Sequence, residues 1–469
     1  MKARQTLPIL TILAAAASAS TAFATNGMNL EGYGPQATAM GGASLAFDNG
    51  TAAVMNNPAT LSLMEEANRL DLAIGMLGPD ITATNNIIGQ SADSQSTAFW
   101  MPAMGYAHRA GDMVFGFGVF GQGGMGCEYL PDSWRGLGFG LENRTEVSIG
   151  RAIVPFATKV TDKLHLAASV DFVWAGMDLK MAMGGAQFFD LIDPTQQVFG
   201  RAGGTLVQSL GQILQGMPPG TSVDYAYFDF SNSSDFTGEA KGYGWAGKLG
   251  VVYEASSDLT LGLTYHSKTS LSDLDTSNGQ VSFQLDIPGM GKFPQTLNGE
   301  ISVIDFEWPS MLAGGVAYRP TPRILLALDL KQVFWSSVMD NFNMRFVSSD
   351  DASNGQLAGQ DLNAQLYQDW SDQTVFALGG AFKITDQWTV RAGYNYGSDP
   401  VPSQYLNCLF PAIVQSHITG GIGYAWNASS SIDFSVVYGL NTTDTSGYNV
   451  TIDHSQLNFQ FMYSYRFGK

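Results

Sequence analysis

Charged residues and cysteines are scarce in this chain of 469 residues. Only 14% of the residues are Asp, Glu, Lys or Arg, whereas about 25% is usual in soluble domains. With 2 cysteines, the chain cannot be a small fold held together by disulfides. A hydrophobic content of 45% excludes a disordered chain, because disorder requires low hydrophobicity and a high density of charge.

Basic residues are fewer than acidic ones, and long apolar runs are missing. The chain has 23 Lys and Arg against 41 Asp and Glu, which gives a net charge of -18. Because such a chain repels phosphate, we predict no nucleic-acid partner. A membrane-spanning helix needs about 20 mostly apolar residues; the longest stretch without charges, 400–432, contains Pro411, Gln415 and His417. A chain of this kind can still cross a membrane as a closed β-barrel.

The N-terminal residues predict export. Lys2 and Arg4 precede an apolar run over 7–17, and Ala22-Phe23-Ala24 has the small residues of a cleavage site. We interpret residues 1–24 as a signal peptide and expect the mature chain to begin at Thr25. The alternative is an N-terminal membrane anchor, for which the apolar run is short.

Alternation of apolar and polar residues is the strongest pattern in the rest of the chain. In the last segment Leu457, Phe459 and Phe461 share one face, and Gln456 and Asn458 share the other. A barrel in lipid requires this apolar-out, polar-in pattern, although a soluble β-sandwich also alternates. The positions of the tryptophans favour the barrel, because several fall towards strand ends, where aromatic girdles lie. They are Trp174, Trp245, Trp308, Trp388 and Trp426.

Short turns and long loops alternate along the chain, as in outer-membrane barrels. Short turns are predicted at 109–112, 160–163, 254–258, 319–323, 383–387 and 427–430, and long loops near 79–96, 123–142, 184–222, 276–297, 348–368, 399–412 and 445–452. The hairpins at these turns and one strand at each end make fourteen strands. We predict an all-β transmembrane barrel of fourteen antiparallel strands over residues 68–469. It would lie in the bacterial outer membrane, with membrane lipid and the barrel assembly machinery as partners.

One predicted strand is unusually rich in glycine. Residues 113–124 contain Gly116, Gly118, Gly121, Gly123 and Gly124. Because glycine weakens strand pairing and often marks a bend or bulge, this strand could interrupt the wall and open a lateral gap towards lipid. The alternative is that small residues make room for a plug inside the barrel.

Residues 25–67 precede the first strand and lack the strand pattern. They are rich in small, turn-forming residues, including Gly41-Gly42-Ala43 and Asn57-Pro58-Ala59, with few large apolar groups. A wide barrel contains either a plug or a water channel. We predict that this segment folds into the lumen as a hatch.

Several motifs resemble one family of membrane proteins. They are Gly41-Gly42-Ala43, Asn57-Pro58-Ala59, Gly242-Tyr243-Gly244-Trp245, Leu263-Thr264-Tyr265-His266-Ser267, Trp388-Thr389-Val390-Arg391-Ala392-Gly393 and Asp399-Pro400-Val401-Pro402. Together they resemble the FadL/TodX family of outer-membrane transporters for hydrophobic molecules. The resemblance implies passive uptake of long-chain fatty acids by loop capture, lumenal binding, hatch rearrangement and lateral exit beside a kinked strand. Neutral hydrocarbons or aromatics are the alternative substrates.

The long loop 184–223 carries candidate residues for ligand capture. Apolar residues recur at helical spacing over 204–215, and exposed apolar surface on a loop favours ligand binding. The resemblance implies a capture groove between this loop and 276–297; alternatively, the helix folds down as part of a barrel cap. The capture candidates are Phe188, Phe189, Leu206, Leu210, Ile213 and Leu214.

Four basic residues are candidates for binding the carboxylate of a fatty acid. Lys248, Lys331 and Arg391 have inward parity, and Lys180 lies nearer the capture loop. In a lumen of low dielectric, one such cation would hold an anionic head group. Alternatively, inward-facing carboxylates such as Asp329 pair with these cations.

Catalytic and metal-binding patterns are missing from the sequence. His266-Ser267 and His454-Ser455 are adjacent pairs, whose side chains point to opposite faces of a strand. We predict no enzyme activity, no metal and no cofactor; a lipid-modifying enzyme is the alternative of a different class. Cys127 and Cys408 fall in predicted extracellular loops, where oxidising conditions favour a disulfide between them.

Overall fold

The computed structural model describes residues 26–234 and 237–468, so the predicted signal peptide over 1–24 and the start at Thr25 lie outside the described residues. The strands are β1 (Asn68–Leu77), β2 (Pro79–Asn85), β3 (Gln90–Asp93), β4 (Phe99–Ala110), β5 (Met113–Tyr129), β6 (Asn143–Lys159), β7 (Leu164–Gly184), β8 (Gly200–Gly203), β9 (Ser222–Phe230), β10 (Ala240–Glu254), β11 (Leu259–His266), β12 (Ser270–Leu271), β13 (Leu274–Asp275), β14 (Gly279–Ile287), β15 (Gly291–Ile304), β16 (Met311–Thr321), β17 (Ile324–Val333), β18 (Asn341–Ser348), β19 (Asp361–Tyr367), β20 (Gln373–Lys383), β21 (Trp388–Gly397), β22 (Ser416–Ala425), β23 (Ser430–Thr445) and β24 (Val450–Phe467).

The helices are short and lie in the connections. The α-helices are α1 (Pro35–Thr38), α2 (Gly185–Ile192) and α3 (Thr205–Gln215), and the 3-10 helices are Gly50–Val54, Pro58–Leu63, Trp134–Gly136, Trp335–Ser337, Ala352–Leu357 and Ser403–Tyr405. Among the described residues, no helix is both long enough and apolar enough to cross a membrane.

The sheet closes on itself. Strand β1 pairs antiparallel with β4 on one side and with β24 on the other, where the register runs from Asn68↔Phe467 to Met76↔Phe459. Closure gives hydrogen-bond partners to the backbone N–H and C=O groups, which hydrocarbon cannot supply. The closed wall runs in the order β1, β4, β5, β6, β7, β10, β11, β16, β17, β20, β21, β22, β23, β24 and back to β1.

The prediction of fourteen strands is wrong, because the sheet contains 24. The prediction counted strands joined by short turns and assigned the long connections to loops. Those connections contain further strands: β14 and β15 form a hairpin where the loop 276–297 was expected, and β14 pairs with β9. Such strands extend the sheet beyond the closed wall. The predicted short turns are confirmed, since each lies between two neighbouring wall strands.

Side-chain direction follows the alternation in the sequence. Leu457 and Phe461 are 46% and 41% exposed on the outer face, whereas Gln456 and Asn458 are buried on the inner face. A row of aromatic residues lies at one end of the barrel, where Trp388 packs on Tyr424 with ring centroids 4.5 Å apart and Tyr424 packs on Trp426. Predicting Trp308 in such a girdle was wrong. It is 1% exposed, because it packs on Trp335 with centroids 5.5 Å apart inside the protein.

The residues before β1 lie against the inner face of the wall; residues 26–67 are called the hatch below. Asp329 of β17 accepts hydrogen bonds from the backbone N–H of Ser44 at 2.7 Å and of Leu45 at 3.2 Å. Asn395 of β21 donates to the carbonyl of Gly41 at 2.9 Å. Because these strands lie at different positions around the wall, the hatch is held from several sides.

The Asn57-Pro58-Ala59 motif joins the hatch to β10. The Asn57 Nδ2 donates to the carbonyls of Leu45 at 2.8 Å and Val251 at 3.1 Å. Its Oδ1 accepts from the N–H of Ala59 at 3.1 Å, which caps the helix Pro58–Leu63. Proline at the first helical position needs no N–H partner. Ala59 is 0% exposed, so a larger side chain has no room there.

We expect Asn57→Ala to loosen the hatch without opening the barrel. The change removes a helix cap and two hydrogen bonds, which lowers the free energy of local hatch opening by about 1–3 kcal/mol. Hydrogen–deuterium exchange should become faster over residues 57–63 and stay unchanged in β20–β23. Asn278→Ala, in an exposed connection, serves as the control. Unchanged protection of 57–63 would contradict the anchoring role.

Candidate functional site

The wall is interrupted between β4 and β5. Their pairing runs from Ala110↔Met113 to Met104↔Val119 and continues no further among the described residues. Beyond this point no backbone pairing joins the described residues of the two strands. The unpaired residues are 99–103 of β4 and 120–129 of β5. Pro102 lies on the β4 side and has no N–H to donate. This unpaired stretch is called the window.

A bend in β5 forms the edge of the window. The register of β5 with β6 shifts between Gly121 and Gly123, which is the geometry of a bulge. Gly116 and Gly118 lie in the paired part below the window, opposite Ala107 and Gly105, and Gly121 lies at its lower end. Above the window, the N–H of Gln95 donates to the carbonyl of Glu128 at 2.8 Å.

The start of the hatch contacts the same edge. The N–H of Gly124 donates to the carbonyl of Met28 at 3.2 Å, and Asn29 forms a β-bridge with Gly123. A Cβ on Gly123 would lie 2.1 Å from the Met28 oxygen, so only glycine allows this approach. Glycine here therefore leaves room for the hatch backbone. The opening of a lateral gap towards lipid at this strand stays a prediction.

An apolar cavity of about 320 Å³ reaches through the window. It touches Met28 inside the barrel and Trp100, which is 49% exposed on the outer face. Ligand sites commonly have volumes of about 300–1,000 Å³, and an engineered apolar cavity of about 150 Å³ binds benzene. The cavity is lined by Gly27, Met28, Asn29, Leu30, Leu77, Pro79, Ile81, Phe99, Trp100, Met101, Pro102, Val119, Phe120, Gly121, Gly123, Gly124, Met125, Gly126, Glu146, Val147, Ser148, Ile149, Gly150, Trp174, Ala412, His454 and Gln456.

This cavity, called the inner cavity below, has little charge. None of the described residues that line it is Lys or Arg. Its one carboxylate, Glu146, accepts a hydrogen bond from Arg144 at 2.8 Å. The Nδ1 of His454 lies 2.8 Å from the carbonyl of Pro411. The inner cavity therefore suits a neutral apolar molecule better than an anion.

The four candidate cations lie elsewhere, and each already has a partner. Arg391 contacts Asp433 at 2.7 Å, and Lys180 contacts Glu142 at 2.9 Å.

Lys248 forms an ion pair with Asp171, and Lys331 donates to the hatch carbonyl of Gly42 at 3.0 Å. Both lysines line a small cavity of about 40 Å³ between the hatch and the wall. This volume is enough for a water molecule and too small for a hydrocarbon. In the structure these cations contact carboxylates or backbone carbonyls of the protein. Their role in ligand binding stays a prediction.

The capture candidates lie in the connection between β7 and β9. Phe188 of α2 and Leu206 and Leu210 of α3 are buried. Phe189 is 36% exposed, and Ile213 and Leu214 are half-buried. Phe188 packs on Phe283 of β14 with centroids 5.3 Å apart, which joins this connection to the next one. Most of the apolar surface expected to bind ligand is therefore used for packing, and its role in capture stays a prediction.

The predicted disulfide is absent from the structure. Cys127 and Cys408 are both free and buried. They belong to one apolar cluster, in which the Tyr129 hydroxyl donates to the carbonyl of Cys408 at 3.0 Å. Burial raises the pKa of the Cys408 thiol. Among the described residues, no group of His, Cys, Asp and Glu could hold a metal ion.

Comparison with known proteins identifies the family. The family model "Outer membrane protein transport protein (OMPP1/FadL/TodX)" matches residues 10–466. The chain belongs to this family. It is therefore a transport protein of the bacterial outer membrane and not an enzyme.

Solved structures and curated relatives agree with this assignment. The structure of the P. putida toluene transporter TodX is 30% identical, with a TM-score of 0.80, over 94% of this chain and 100% of TodX. The Ralstonia pickettii toluene transporter TbuX is 31% identical, with a TM-score of 0.73, over 94% and 100% of the two chains. The long-chain fatty acid transport protein of Escherichia coli O6:H1 is 23% identical over 89% of this chain and 86% of that protein. A stretch of 77 residues is 53% identical to an uncharacterised Chlorobium limicola protein, covering 16% of this chain and 38% of that protein.

We expect both cysteines to react as thiols only after unfolding. The thiolate is the reactive form, and burial disfavours it. Purified protein kept without reductant should take up no maleimide when folded and two equivalents after denaturation. Mass spectrometry gives the count. A denatured protein that takes up none would instead contain the disulfide.

Proposed function

We propose that this protein takes up small neutral hydrophobic molecules, such as monoaromatic hydrocarbons, across the outer membrane without an energy source. One observation carries the proposal: the inner cavity is apolar, is lined by no Lys or Arg among the described residues, and reaches through the window to the outer face of the wall. A molecule bound there lies beside the bilayer and need not cross the hatch.

The comparisons support a neutral substrate. The relatives named as toluene transporters are 30% and 31% identical to this chain, whereas the Escherichia coli fatty acid transporter is 23% identical. Their substrates are neutral aromatics in the first two cases and carboxylates in the third. Long-chain fatty acids stay the alternative. Glu146 lines the inner cavity with its charge already paired with Arg144, and none of the described residues that line the cavity is Lys or Arg, so a carboxylate would find no free cation in this lining.

The path that we propose begins at the extracellular loops and ends in the membrane. A ligand enters the inner cavity past the first residues of the hatch, where Met28 and Asn29 contact Gly123 and Gly124. A shift of these hatch residues widens the cavity. The ligand then leaves through the window into the outer-membrane lipid, as the family resemblance implies. Assembly by the barrel assembly machinery stays a prediction.

Substrate choice can be measured in cells that lack other transporters of this kind. Cells that express the protein should take up radiolabelled toluene faster than cells with an empty vector, with saturation at high concentration. Uptake of labelled oleate should equal the background. If oleate enters and toluene does not, the proposal of a neutral substrate is wrong, although the protein remains a transporter.

We expect Gly121→Leu to block the window. A Cβ at Gly121 would lie 3.5 Å from Met101, an ordinary contact, so the variant should fold. A ligand must then displace a leucine side chain whose burial is worth roughly 1.5–3 kcal/mol, which slows uptake by about tenfold or more. Initial rates of toluene uptake measure the effect.

Gly314→Leu is the matched control. Gly314 lies in wall strand β16, and the nearest atoms to an added Cβ are 3.9 Å away. Its uptake rate should equal that of the unchanged protein. Equal rates for both variants would show that ligands do not leave through the window.

A further inference from the structure

One carboxylate of the hatch is buried inside the barrel. Glu31 is 1% exposed, and it follows shortly after Met28 and Asn29, which contact the edge of the window. The backbone carbonyl of Glu31 lies 3.5 Å from the Nζ of Lys331. A Cβ on Gly42 would lie 1.9 Å from the same carbonyl oxygen, so the hatch is tightly packed at this point. The contacts of Glu31 therefore determine where the hatch residues next to the window lie.

The carboxylate of Glu31 contacts side chains of two wall strands. Its Oε1 accepts hydrogen bonds from the Asn458 Nδ2 at 3.2 Å and the Gln456 Nε2 at 3.3 Å, both on β24. The Nε2 of His417 on β22 lies 3.3 Å from the same oxygen. No Lys or Arg among the described residues forms an ion pair with this carboxylate. A buried carboxylate without such a partner is costly when it is ionised.

His417 is buried beside this carboxylate with its own polar atoms unused. It is 0% exposed, and neither of its ring nitrogens has a hydrogen-bond partner among the described residues. His454 of β24 lies near enough for its charge to act on His417, and its Nε2 also lacks a hydrogen-bond partner within the described part of the chain. Buried polar groups are normally hydrogen-bonded. These nitrogens and the carboxylate therefore form a group of sites at which a proton can be bound.

The charges around Glu31 are unbalanced when the nearby carboxylates are both ionised. Lys331 of β17 is the cation that acts on Glu31, and the charge of Asp329 acts on the same lysine. Tyr33, another titratable hatch residue close to Glu31, donates a hydrogen bond from its hydroxyl to the carbonyl of Gln122 at 2.5 Å. One lysine with two carboxylates leaves one negative charge in excess, which one bound proton removes.

We propose that Glu31 is a positioning residue that latches the start of the hatch to the wall only while a proton is bound there. With the proton in place, residues 28–31 stay against Gly123 and Gly124. Loss of the proton leaves an excess negative charge buried in the barrel, which favours movement of residues 28–31 towards water. This inference deepens the proposed function and rests on it for the transport step, because the same hatch residues have to move to admit a ligand.

Docking of the hatch should weaken as the pH rises. Burial raises the pKa of the Glu31 carboxyl from its ordinary value of 4.5 to about 7, although the charge of Lys331 and the hydrogen bonds to the carboxylate oppose the rise. A carboxyl group whose pKa is raised in the docked hatch stabilises docking at acid pH and loses this contribution as the pH rises through the raised value. The hatch should therefore be held firmly at pH 5 and open more easily at pH 8.

Hydrogen–deuterium exchange of the whole purified protein in a non-ionic detergent tests the latch. Glu31→Gln is the informative variant, because an amide keeps the size of the side chain and carries no charge at any pH. Residues 28–34 should exchange at equal rates in both proteins at pH 5. At pH 8 they should exchange about tenfold or more faster in the unchanged protein, since one pKa unit corresponds to a factor of ten. Comparing the two proteins at the same pH cancels the intrinsic pH dependence of exchange.

Glu65→Gln is the matched control, because Glu65 is an exposed carboxylate of the hatch. Its exchange over residues 28–34 should equal that of the unchanged protein at both pH values. The heat-modifiable mobility of the barrel on gels shows whether each variant folds. Should Glu31→Gln not fold, the unchanged protein alone provides the test, because its protection factors over 28–34 should fall by about tenfold or more from pH 5 to pH 8. Protection that is the same at both pH values would overturn the proposal.

Transport separates this inference from the proposed function. Toluene uptake should be faster at pH 8 than at pH 5 for the unchanged protein and independent of pH for Glu31→Gln. Uptake above the background that does not depend on pH in the unchanged protein would refute the latch and leave the proposed function intact. If toluene does not enter at either pH, the proposed function is wrong, and hydrogen exchange still decides whether the latch exists.

Discussion

Closure of the wall by pairing β24 with β1 is the constraint on which the rest of the structure depends. A sheet in hydrocarbon has to satisfy its backbone groups internally, so each interruption needs compensation. At the window, Pro102 offers no N–H, Gln95 bonds to Glu128 above the gap, and the N–H of Gly124 bonds to the hatch. These contacts reduce the cost of an opening that a membrane barrel otherwise avoids.

Closure of the wall also determines which partners the charged side chains in the lumen have. Alternation places polar side chains of the wall inside, where an unpaired charge is costly. The hatch supplies many of their partners: Lys331 donates to the carbonyl of Gly42, and Asp329 accepts from the N–H of Ser44. Lumenal cations that the sequence offers as sites for a fatty acid therefore hold the hatch or pair with carboxylates of neighbouring strands. None of the described residues that line the apolar inner cavity is Lys or Arg.

Local patterns in the sequence predicted the inward and outward faces of the strands, the short turns and the glycine-rich strand, because each depends on neighbouring residues. Long-range pairing was not predictable in this way. The hairpin β14–β15 alternates visibly at Val281 and Phe283, yet its partner β9 lies about fifty residues earlier. Trp308 is of a residue type that is typical of aromatic girdles, yet it packs on Trp335 inside the protein. Arg135 is one arginine in a loop, and only the fold shows that it donates to the side-chain oxygen of Asn143.

The window and the hatch share backbone contacts. Gly123 and Gly124 follow the bulge of β5 and contact Met28 and Asn29 of the hatch, which also line the inner cavity. A hatch residue that moves to admit a ligand therefore breaks a hydrogen bond at the edge of the window. The freed N–H of Gly124 costs free energy until the edge of β5 shifts or water reaches it. In the path that we propose, entry of a ligand and opening of its exit would thus be coupled through the same few backbone atoms.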